Sequence, residues 1–265
     1  MDLDKEVPNV NERRFSHYAG LLAVDGQSVD SMIKASQFGL FSVQTVIYTP
    51  DEARFSPPRI LASILSAYVD RFDGPVTTIP LPDDAPSSLP RVMLQSRDGM
   101  WKLNASPSRI DSVWVASVTQ PSGAGAVVRC SEVLEAYVRS SGIRVGRLAL
   151  VVVRACETSD AAQLLIERFC NERSQAAPFN RSANFEIHNH KRYRLQSVGR
   201  DINSWVRCRS GLLQQKPAVA VEQDLNTLEE ELHQNTFDAD AIRNHFDHAQ
   251  AEAEAILRLY FPEEQ

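Results

Sequence analysis

Trp101-Lys102-Leu103-Asn104-Ala105 and Tyr193-Arg194-Leu195-Gln196-Ser197 align without a gap across ninety-two positions, and Ile110-Asp111-Ser112 aligns likewise on Ile202-Asn203-Ser204. Each stretch alternates apolar and polar residues at the period of a half-buried strand. Each also follows one amphipathic helical pattern and precedes another, so the two halves of the chain are expected to share one plan. Duplicated units commonly pack by burying each other's apolar faces.

Outward from the first stretch, Ser96-Arg97-Asp98-Gly99 supplies a hairpin corner between strands near 92–95 and 100–104, because an Asp-Gly step tolerates positive φ. A third strand is expected at 111–116. Upstream, Leu40 to Tyr48 reads as a strand, and Pro57-Pro58 opens a helix whose Ile60, Leu61, Ile64, Leu65 and Tyr68 recur at helical spacing. A second helix runs from Val127 to Val138 and stops at Gly142. The order then recurs: a strand through the apolar run Leu148 to Val153, a helix capped by Ser159 or Asp160, and strands over 185–189, 192–197 and 202–209. A strand from Lys216 to Leu225 has no counterpart in the first half on this reading, and a helix with an Ile242-Phe246-Ala249-Ala253-Leu257 stripe closes the chain.

Hairpins joined in this way predict an α+β fold, a mainly antiparallel sheet with helices on one face and an internal duplication of a strand–helix–three strands–helix unit. The divisions expected are an N-terminal arm and lead-in over 1–36, a first half over 37–142 and a second half over 143–265, the halves packed as one unit. At 265 residues the chain is long enough for a substantial core. Its longest apolar run is too short to span a bilayer, and its first residues lack a basic-then-apolar signal pattern. Four scattered cysteines without a Cys-x-x-Cys pair suit reduced thiols, and a cytoplasmic location is expected.

Net charge is −6, unevenly distributed. From Glu222 onward twelve acidic residues face only Arg243 and Arg258, whereas the second hairpin carries Lys191, Arg192, Arg194, Arg200, Arg207 and Arg209 against Glu186 and Asp201. Opposed charge regions suit a protein partner, mutual compensation or two solvated faces. Alternation puts Arg192, Arg194, Arg207 and Arg209 on one sheet face and Tyr193 and Leu195 on the other. An arginine-lined face of this kind is a candidate site for phosphate or nucleic acid. By the same two-residue period Glu222 and Asp224 share a face, where paired carboxylates can take a divalent cation or divide acid and base roles. His188 and His190 on a strand, with His245 and His248 on a helix, have spacings compatible with metal ligation if the two elements meet. No cofactor is called for: the chain has no Gly-x-Gly-x-x-Gly, no Gly-Lys-Ser/Thr loop and no Gly-x-Ser-x-Gly elbow. No catalytic constellation assembles either.

Arg147 with its following apolar strand, Ile202-Asn203-Ser204-Trp205, Val219-Ala220-Val221-Glu222-Gln223-Asp224-Leu225-Asn226-Thr227 and a last helix holding His245 and Phe246 resemble a sporadically distributed family of bacterial and archaeal proteins of about this length. The resemblance runs from about Gln37 onward. It places the family's motif aspartate on Asp224 and its Ile-Asn asparagine on Asn203, and it implies no reaction. Together these features point to a non-catalytic binding or accessory protein acting by protein–protein contact, in an antitoxin-like or defence-associated role. The alternatives are a nucleic-acid or phosphorylated-ligand binder and a metal-dependent hydrolase.

Overall fold

The computed structural model describes residues 33–82, 84–117, 123–170 and 182–263, so the expected N-terminal arm lies almost wholly outside the described residues. The chain builds β1 (Gly39–Tyr48), α1 (Pro57–Tyr68), β2 (Val76–Thr78), β3 (Val92–Gln95), β4 (Trp101–Ala105), β5 (Arg109–Val115) and α2 (Ala126–Ser141). It continues through β6 (Arg147–Glu157), α3 (Ala161–Phe169), β7 (Glu186–Leu195), β8 (Arg200–Leu213), β9 (Lys216–Thr227) and α4 (Ala239–Tyr260). The strands form one sheet in the order β2-β3-β4-β5-β1-β6-β9-β8-β7, every neighbouring pair antiparallel. The fold is α+β with an antiparallel sheet. No helix among the described residues is long and apolar enough to cross a membrane.

Exchanging β1-β3-β4-β5 for β6-β7-β8-β9 turns the strand order back to front onto itself, with β1 and β6 side by side at the centre. This symmetry corrects the alignment of the twin hairpins. Trp101–Ala105 is β4 and Ile110–Ser112 lies in β5, but their sequence matches lie in β7 and β8, one strand out of step with the topological equivalents β8 and β9. The cause is local. Polar residues from His188 to Arg192 suggest a break, yet this stretch is one ten-residue strand paired throughout with β8. An outermost strand tolerates such a run because its exposed edge and open face stay solvated. Once β7 is one strand, β9 is the third strand of its meander and matches β5. The unmatched element is β2, an extra strand at the opposite edge, where Pro80, Pro82, Pro86 and Pro90 in the stretch from Thr77 onward predict an extended connector.

The four α-helices of the described residues lie on one face. Val43, Thr45 and Ile47 of β1 sit opposite Val152, Leu150 and Leu148 of β6, and β9 adds Val221 and Leu225, all buried. α2 covers β1 and β5, α4 covers β6 and β9, and the two helices pack on each other. α1 packs on α2, and α3 lies over β8 and β9. The caps follow from sequence. Asp238 accepts from Ala241 N at 2.8 Å and Asp160 from Gln163 N at 3.2 Å, while Gly142 ends α2 at φ +61°. Cys130, Cys156 and Cys208 are buried free thiols, and burial pushes their pKa values to about 12, 11 and 12, which leaves them unreactive.

β8 and β9 are joined by Gln214-Gln215, both at positive φ (56° and 67°). A two-residue corner of this hand matches the twist of the strands, but a residue with a Cβ pays about 1 kcal/mol or more there. Gln215→Gly is expected to raise stability by about 1 kcal/mol in urea unfolding, with an unchanged slope. No gain, or a loss, would show that the glutamine side chain makes a compensating contact.

Candidate functional site on the open face of the sheet

The face turned away from the helices carries the even-numbered residues of β7 and β9, those of β1 from Ser42 onward, and the odd-numbered residues of β5, β6 and β8. Strand register assembles them into rows. Arg192, Asn203 and Asn226 are consecutive Cα partners, as are His190, Trp205, Asp224 and Val151, and then His188, Arg207, Glu222 and Val153. Neighbouring strands lie about 4.8 Å apart, so side chains along a row touch. Of the residues that sequence singled out, Arg192, Arg207, Arg209, Asn203, Glu222, Asp224, His188 and His190 come together here. Arg194 shares the face at the end of β7, opposite Asp201.

The contacts are specific. The His190 and Trp205 rings stack 4.0 Å apart and 3° from parallel, and His190 Nε2 hydrogen-bonds Asn203 Oδ1. The Arg207 guanidinium lies 6.0 Å from the Trp205 ring and pairs with Glu222 at 3.4 Å. Asn226 Nδ2 donates to Asp224 Oδ1 at 2.7 Å. Burial drives the Asp224 carboxyl up to about 6, aided by Glu222 and opposed by the Asn226 amide, Arg147 and Arg207. A carboxyl kept in so costly a position is a mark of function more than of stability.

A second cluster adjoins at the end of the β1–β6 seam. Tyr48 is the Cα partner of both Arg109 and Arg147, whose guanidinium carbons lie 5.4 and 4.7 Å from its ring. Arg109 reaches Asp111 at 2.7 Å, and Arg147 pairs with Glu229 and donates to Thr227 O, both at 3.3 Å. Burial raises the Tyr48 hydroxyl pKa despite both arginines. A Cβ on Gly146 would lie 1.8 Å from Leu232 O, so only glycine lets the 228–233 segment close against this end of the sheet. A cleft of about 620 Å³ opens there, lined by Tyr48, Arg54, Arg147, Glu229 and His233 among others. Tyr48, Arg109 and Asp111 are not among the site residues that sequence pattern alone suggests. Their polar or aromatic character at solvent-side strand positions is visible in sequence, but their meeting depends on register between distant strands.

The histidine set does not converge. His188 and His190 project from the open face, whereas His245 and His248 belong to α4 on the other side of the sheet. His245 is buried between Phe237 and Phe246, with neither ring nitrogen hydrogen-bonded among the described residues. Burial, then Arg200 and His248, depresses its pKa to about 4, so it stays a neutral core side chain. His248 is half-buried and hydrogen-bonds Asn244 O. Among the described residues no three His, Cys, Asp or Glu side chains are grouped to hold a metal ion.

In an unfolded chain Asp224 would titrate near 3.8, and in the native protein it does so near 6. The native state therefore holds the extra proton between these values, and stability from this group falls as pH rises from about 4 to 6. Asp224→Asn keeps the acceptor for Asn226 and removes the buried charge. It is expected to be more stable than the parent by about 3 kcal/mol well above pH 6 and equal to it near pH 3, by denaturant unfolding across pH. A pH-independent difference would contradict the burial argument.

No protein-family model matches this chain, and no curated protein matches it.

Proposed function

We propose that this chain is a non-catalytic binding protein that docks another protein on the open face of its sheet. The observation that carries this reading is charge compensation. Arg109, Arg147, Arg192, Arg194 and Arg207 each lie against an acidic side chain: Asp111, Glu229, Glu230, Asp201 and Glu222. Phosphate backbones are held by cations free to replace counterions, and these arginines would first have to give up carboxylates. A face of paired charges around aromatic, asparagine and histidine side chains suits a protein surface, where Tyr, Trp and Arg supply most of the binding energy.

The resemblance to a sporadically distributed prokaryotic family supports looking for the partner among products of neighbouring genes, in an antitoxin-like or defence-accessory setting. Nucleic acid is the second reading, favoured only by the Trp205–His190 stack beside Arg207. The divided histidines argue against the hydrolase reading.

Purified protein mixed with each neighbouring gene product is expected to form a complex with one of them. Trp205→Ala and Tyr48→Ala should each weaken it by about tenfold or more. Absence of any complex, joined with salt-sensitive retention on single-stranded RNA or DNA, would replace this reading with the second one.

A further inference from the structure

We infer that β7 is a self-complementary edge through which two copies of this chain join their sheets. β7 is terminal in the sheet order, and no described strand pairs with its outer side. At the opposite edge the short β2 ends the sheet after three residues, so β7 is the long edge among the described strands. Its hydrogen-bonding phase follows from one contact. Ser210 N donates to Phe185 O at 2.9 Å, which makes this opposed pair a hydrogen-bonded one. In an antiparallel ladder such pairs recur every second residue, so Ile187, Asn189, Lys191, Tyr193 and Leu195 turn their backbone groups toward β8. The N–H and C=O groups of Glu186, His188, His190, Arg192 and Arg194 therefore point outward.

These five residues are symmetric about His190. Two β7 edges meeting antiparallel across a twofold axis at His190 would form about ten backbone hydrogen bonds, the most that any register allows. Glu186 then lies opposite the partner's Arg194, and Arg194 opposite the partner's Glu186. On the helix side Ile187 lies opposite the partner's Tyr193. Moving the axis one residue either way leaves Glu186 or Arg194 without an opposite residue and loses backbone bonds. The charges that protect an edge strand against indiscriminate pairing here select one register. Arg192 and Arg194 keep Glu230 and Asp201, so the joint carries no large charge excess. The axis stands perpendicular to the sheet, and both open faces then lie on the same side as one surface.

This inference does not depend on partner docking, because its test uses the purified chain alone. Sedimentation equilibrium from low micromolar to about 100 µM should show a single chain of 29.6 kDa passing to twice that mass. His188→Pro removes an outward N–H that no described strand uses, and an edge strand tolerates proline there; it should weaken the dimer by about tenfold or more. Glu186→Arg and Arg194→Glu should each weaken it similarly, by placing like charges opposite one another, and the double swap should restore it to within about threefold of the parent. A chain that stays single over the whole range overturns the inference. So does a dimer indifferent to His188→Pro, or a double swap no better than the single changes. Circular dichroism of each variant, expected to match the parent, separates loss of association from loss of fold.

Discussion

The antiparallel pairing of β1 with β6 is the contact on which the remainder of the structure depends. It joins the two halves of the chain at the centre of the sheet, from Gly39 opposite Ala155 to Tyr48 opposite Arg147. On the helix side it aligns Val43, Thr45 and Ile47 with Val152, Leu150 and Leu148, all buried. Each of the valine, isoleucine and leucine side chains contributes about 1.5–3 kcal/mol on leaving water. The pairing also sets α2 beside α4, since one helix covers β1 and the other β6. On the open side it brings Tyr48 to Arg147 and thereby positions the cleft.

Polar groups on the helix side fix how α4 sits across this seam. Arg154 donates to Gln223 Oε1 at 2.6 Å and pairs with Glu254 of α4, while Gln223 Nε2 donates to Ala253 O at 2.7 Å. Glu135 of α2, almost wholly buried, accepts from Arg243 of α4 at 2.5 Å and from Arg139 at 3.3 Å. Groups like these are costly to bury, and removing one partner typically costs about 3–5 kcal/mol, so they act against alternative helix registers more than they add net stability. Tyr193 adds a link from β7 to Glu252 of the same helix at 2.6 Å. The helix layer is thus held to one arrangement, and the opposite face is left free to differ in chemistry.

Much of this was legible from residues, and the reason is the two-residue period. Alternation correctly places Arg192 and Arg194 opposite in direction to Tyr193, and Glu222 with Asp224 on the side away from Val219 and Val221. Side-chain direction within a strand is local information. Pairing is not. Nothing near Tyr48 in the chain announces Arg109 and Arg147 as its neighbours, because these contacts join strands up to about a hundred residues apart through connections that leave register open. Trp205 faces Asp224 through the two-residue corner at Gln214-Gln215, which fixes register but lacks the Asn-Gly or Asp-Gly step that marks such a corner in sequence. The hairpin slip has the same origin. Two strands with one alternation match equally well at neighbouring places in a meander, and the polar middle of β7 resembled a turn because it lies on an edge. The histidine pairs failed for a related reason, since spacing within a strand or helix does not say which side of a sheet the helix will cover.

Native-state hydrogen exchange tests the seam most directly. If β1–β6 unites the halves, the amides of Val43, Ile47, Leu148 and Val152 should exchange only through global unfolding, and core amides of β4 and β8 should reach the same limiting free energy with the same denaturant dependence. Two separate limits, with the strands of one half exchanging while the other stays protected, would show that the halves stand independently and that the central pairing is only a junction between them.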